Sequence, residues 1–107
     1  MKLDPQEIVH ANEYIENNGL RVTHFRYHNL DGTYQNKGGM TVVWKDSKPG
    51  RLFTISTALC NESDIFSRNI GRVLAVQNYE QGHRVQLMKS DFHTAYETIC
   101  QLFLIEV

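Results

Sequence analysis

Ile8, Ala11 and Ile15 recur at helical spacing behind an Asp4-Pro5 start, which predicts a first helix. Asp4 supplies an N-cap, Pro5 suits the first helical position, and Glu7 completes an Asp-x-x-Glu capping box. Asn17-Asn18-Gly19 ends the helix with a glycine free to turn left-handed. From Leu20 to His28 the period changes to two, predicting a strand. Arg21, Thr23, Phe25 and Tyr27 lie on one side; Val22, His24, Arg26 and His28 lie on the other. Asp31-Gly32 marks a turn, and Asn36-Lys37-Gly38-Gly39 a second flexible point.

Met40 to Lys45 is rich in β-branched and aromatic residues and predicts a second strand. Asp46 to Gly50 is a turn, and Arg51 to Leu59 forms the hairpin partner. Phe53, Ile55, Thr57 and Leu59 are its expected core face, with Leu52, Thr54, Ser56 and Ala58 opposite. A second helix is expected to start between Asn61 and Asp64 and to close at Gln81-Gly82, with Asn61 as cap and the Asp64 carboxylate at its positive end. Phe66, Ile70, Val73, Leu74 and Gln77 form one stripe of that helix; Asp64, Arg68, Arg72, Ala75 and Tyr79 form the other. Arg84 to Met88 predicts a short strand. Asp91 caps a third helix whose stripe is Phe92, Ala95, Tyr96, Ile99, Cys100 and Phe103. The apolar tail Phe103-Leu104-Ile105, as helix or strand, must be buried in the domain or against another subunit. These elements predict one α+β domain over residues 1–107: an antiparallel sheet of four to five strands with two or three helices packed on one face.

Composition narrows the function. A chain of 107 residues with 11 Lys+Arg against 12 Asp+Glu has a formal net charge of −1, which argues against non-specific coating of nucleic acid. A single core and no second domain fit that length. No apolar run reaches membrane-spanning length and no secretory leader precedes the first helix, so the protein is expected in the cytoplasm, with Cys60 and Cys100 reduced and buried.

Catalytic patterns are missing. His10, His24, His28, His83 and His93 are scattered without zinc-site spacing, so no metal is expected. No nucleophile, base and orienting group are set together, and no phosphate-binding glycine loop occurs, so neither an enzyme nor a cofactor is expected. Arg68 and Arg72, one helical turn apart, instead suggest a grip on a small anion. Gly71 between the stripes marks a close approach of some neighbour. Tyr79 stands on the arginine side, and Arg84 follows the helix closely enough to extend the basic patch. The expected ligand-binding set is Phe66, Arg68, Arg72, Tyr79 and Arg84.

The stretch from Lys37 to Ala75 resembles a type of small bacteriophage accessory protein. It carries Gly38-Gly39-Met40-Thr41-Val42, then a β-hairpin, then Cys-x-x-x-Asp-x-Phe-Ser-Arg-x-Ile-Gly-Arg over Cys60 to Arg72. Among characterised proteins it looks most like the phage Thoeris anti-defence sponges, small non-enzymatic oligomers that trap cyclic ADP-ribose isomers and in some cases cyclic di- or trinucleotides. That resemblance implies a homo-oligomer in the bacterial host cytoplasm. It also implies a small anionic nucleotide ligand held by aromatic and arginine residues, here Phe66, Arg68, Arg72 and Arg84. A phage inhibitor that binds a host protein directly is the rival expectation, with Arg68, Arg72 and the apolar tail at its interface. Nucleic-acid binding is the third.

Overall fold

The computed structural model describes the backbone of residues 2–48, 51–102 and 104–106. Its elements run α1 (Pro5–Asn18), β1 (Arg21–Arg26), β2 (Lys37–Lys48), β3 (Leu52–Ile65), α2 (Arg68–Glu80), β4 (Val85–Met88), α3 (Lys89–Leu102) and β5 (Leu104–Glu106). The strands form one five-stranded antiparallel sheet in the order β4-β3-β2-β1-β5. The α+β class stands.

Adjacent residues of a strand point to opposite faces, so Val42 and Val43 enter different cores, two where one was expected. Val43 and Ala58 pack with Ala11, Val73, Ala75, Val76 and Tyr79 of α1 and α2. Val42, Phe25, Phe53 and Ile55 pack with Phe92 of α3. Two helices thus share one face, as expected, while the third lies against the other. Thr57 and Leu59 belong to the α3 face yet are exposed, Leu59 by 76%. Ala58, expected opposite the core, is buried against α2, and Thr54 and Ser56 on the same side are buried as well.

Asp4 caps α1 by accepting from Gln6 N at 2.9 Å, and Gly19 ends the helix in the left-handed conformation at φ 63°. Leu20 N then donates to Ile15 O, closing the last turn. The capping box is only half made: among the described residues the buried Glu7 Oε2 has no hydrogen-bond partner. Asp91 sits inside the first turn of α3, since the helix begins at Lys89. The tail is a strand: Ile105 pairs with Phe25 and Leu104 with Arg26. The Asp46–Gly50 turn, the side chains of Ile99 and Cys100, and Phe103 lie partly or wholly outside the described residues.

The largest departure is at the start of the second helix. Asn61 and Asp64 stay in β3, and Ser67 caps α2 by accepting from Ile70 N at 3.3 Å. Gly39 pairs with Cys60 and Lys37 with Ile65, so Gly38 alone opposes Asn61, Glu62, Ser63 and Asp64 in a wide bulge. The bulge is tied by Ser63, whose backbone N–H and hydroxyl both donate to Asn61 Oδ1 at 3.0 Å. Short polar side chains that bond the local backbone serve turns as readily as helix caps, which is why Asn61 carried an ambiguous signal. Gly38 and Gly39, expected to form a flexible turn, lie in β2. There Gly39 runs so close to β1 that a Cβ would stand 2.6 Å from Phe25 O.

Candidate functional site

A groove of about 710 Å³ opens where the bulge of β3 splays from the first half of α2. Ile70 and Leu74 of α2 and Ala58 of β3 form its apolar floor, and Phe66 its wall. Lys37, Asn61, Ser63 and Asp64 supply polar groups at the rim, and Ser67 marks the start of the helix. The N-terminus of α2 contributes partial positive charge there. Cys60 is half-buried and not, as expected, fully buried. Its thiol is turned on to the carbonyl oxygens of Asp64 at 3.5 Å and Asn61 at 3.6 Å.

Phe66 is held from several sides. The His24 ring meets it edge-on at 5.8 Å, and the Arg26 guanidinium lies 5.4 Å from its centroid. Arg26 also lies 5.2 Å from the Tyr34 ring and donates to Gln35 O at 2.7 Å. A Cβ at Gly39 would sit 2.7 Å from the Phe66 ring, so only glycine lets the ring settle there. His24 itself is buried and hydrogen-bonds Thr41 Oγ1 through Nδ1 at 2.9 Å. Phe66 therefore fixes the turn into α2 as well as walling the groove.

The five residues expected to bind ligand do not form one site. Phe66 lines the groove, and Arg68 stands exposed at the first position of α2 beside Ser67. Arg72 faces α1 and donates to Asn12 Oδ1 at 3.2 Å. Tyr79 is a core residue, 5% exposed, with its ring edge against Tyr14 at 6.2 Å. Arg84 lies over Tyr79 with its guanidinium 4.6 Å from the ring. Tyr79 and Arg68 are separated by about 16 Å along the helix axis. The arginine side of α2 is covered at Arg72 and Tyr79, where α1 packs on it.

Gly71 has a structural cause within the domain. A methyl group there would collide with Thr41 Oγ1 and stand 3.0 Å from Thr41 Cβ, so the glycine lets α2 lie directly on β2. No ligand is needed to explain it. Lys37, Asn61, Ser63 and Asp64 were missed as groove residues because a helix was expected from Asn61 onward. The register of β2 against β3 is what brings them together.

Among the described residues no group of three His, Cys, Asp or Glu side chains is placed to hold a metal ion. No helix among them is long and apolar enough to cross a membrane. Comparison with protein-family models, curated proteins and solved structures gave no match.

Proposed function

We propose that this protein is a non-catalytic binder of a small anionic nucleotide, of the cyclic nucleotide or cyclic ADP-ribose type, held in the groove between the β3 bulge and α2. The observation that carries the reading is the groove itself: about 710 Å³, with an aromatic wall, an apolar floor and a helix start at one end. Ligand sites for small molecules are of this size and character. A phosphate is favoured at the helix N-terminus and by Lys37, and Asp64 is suited to accept from a ribose hydroxyl. Binding without turnover suits sequestration, and the resemblance of Lys37 to Ala75 to phage anti-defence sponges makes that signal an immune one. On this reading the protein acts in the host cytoplasm as a homo-oligomer.

Native mass spectrometry with a panel of cyclic nucleotides and cyclic ADP-ribose isomers tests the reading. The expected outcome is a symmetric oligomer gaining whole numbers of one nucleotide. Lys37→Ala should weaken retention about tenfold through the lost charge-assisted contact. Unchanged retention in Lys37→Ala would remove the groove from the reading.

A second reading, direct binding of a host protein, draws support from two apolar side chains at the groove rim: Leu59 is 76% exposed and Ile65 74%. It predicts one stoichiometric partner from host lysate, lost in a Leu59→Asp, Ile65→Asp variant, with no response to the nucleotide panel.

A further inference from the structure

A cavity of about 200 Å³ lies between the sheet and α3, on the face opposite the groove. Phe25 and Ile55, both buried, form its floor, and Trp44, Phe92 and Tyr96 form its walls. Ala95, exposed on α3, stands at the mouth. The rings surround the space: Trp44 and Phe92 are 5.1 Å apart, Phe25 and Tyr96 5.9 Å. Its lining is mainly apolar, with Thr23 and Thr57 among it and the buried Trp44 Nε1 without a hydrogen-bond partner among the described residues.

Protein interiors are close-packed, and an unfilled apolar space costs stability in proportion to its volume. Water gains nothing in such a space, whereas an apolar cavity of about 150 Å³ is large enough to take up benzene. Flat ring walls favour a flat guest, through offset and edge contacts with its ring. A carboxylate on that guest is penalised, because no cationic side chain lines the cavity to pair with a buried charge.

We infer that this cavity is a second binding site, independent of the groove, which takes a free neutral aromatic molecule about one ring in size. Its occupant and the nucleotide differ in charge and lie on opposite faces of the sheet, so either site can fail without the other.

Toluene is the probe, and Trp44, the single tryptophan of the chain, is the reporter. Toluene should change Trp44 emission saturably, with half-saturation at about 1 mM or tighter, and raise the melting temperature. Benzoate should not bind measurably. Ala95→Phe, at an exposed position, should plug the mouth and weaken the toluene response at least about tenfold while leaving the circular dichroism spectrum unchanged. An unsaturable response to toluene overturns the site, as does equal binding of benzoate or an unaltered response in Ala95→Phe. Mass measured along the titration separates the remaining source of an apolar occupant: a dimer that toluene dissociates would assign the cavity to a subunit contact and overturn the free-ligand assignment.

Discussion

The two faces of the sheet are packed by opposite means. On the α1/α2 face, α2 lies directly on β2 because Gly71 leaves room for Thr41, and the helix is fastened by Asn78 Nδ2 donating to Thr57 O at 3.0 Å. Three alanines, Ala11, Ala58 and Ala75, are buried there beside Val43, Val73 and Val76. On the α3 face the filling is aromatic. Phe53 and Phe92 stand 4.5 Å apart, Trp44 meets Phe53 at 5.6 Å, and space remains between the rings. Close backbone approach tolerates no added atom at the contact itself. Ring packing buries much area per residue and leaves irregular gaps. Room for a guest differs accordingly: on the first face it opens beside the helix contact, at the β3 bulge, and on the second it lies among the rings.

Shaving and filling should act oppositely on the two faces. The largest effect is expected from Phe92→Ala, which removes ring contacts to Trp44, Phe53 and Tyr96 and should cost about 3 kcal/mol in urea unfolding. Gly71→Ala should lose about 2 kcal/mol. The sign makes this the sharper test, because at an unconstrained helix position the same change gains about 1 kcal/mol. A stabilised Gly71→Ala protein would mean that α2 does not touch Thr41. Gly19→Ala should cost about 1 kcal/mol from the left-handed backbone alone, since no atom lies within 4 Å of the added methyl. Ala95→Leu, at an exposed position of α3, should stay within about 0.5 kcal/mol of the parent.

The smallest effect concerns pH and lies away from both faces, in the β1–β2 loop. The Thr33 hydroxyl donates to Asp31 Oδ1 at 2.6 Å and the Thr33 N–H at 3.0 Å, and together they hold the Asp31 carboxyl below its ordinary 3.8. A depressed carboxylate lends stability above its unfolded value and loses it as pH falls through the folded one. Carboxyl resonances followed from pH 5 downward should show Asp31 titrating below its ordinary 3.8. Global unfolding should be nearly unmoved, because the group is fully exposed.

Much of the frame was legible locally. Asp4-Pro5 and Gly19 bound α1 where caps are expected, and the β-branched run at Met40 to Lys45 lies within β2. Residues 85–88 form the short strand read from Arg84 to Met88. The site was less legible. Asn61 and Asp64 matched a helix start, yet the pairing of Cys60 and Ile65 with β2 on either side holds them in a bulge of β3 and opens the groove. Tyr79 fell outside the apolar stripe, yet it is buried because α2 is covered on two sides.

By itself, then, the sequence determined the helix boundaries at α1, the hairpin of β2 and β3, and the α+β class, because caps, turns and side-chain period act over a few residues. Only the tertiary structure decided the rest. It placed α3 on the far face, directed Arg72 to Asn12, set Gly71 against Thr41 and parted Phe66 from Tyr79 and Arg84. Those outcomes depend on which surfaces meet across the chain, and no local pattern encodes the partner of a surface.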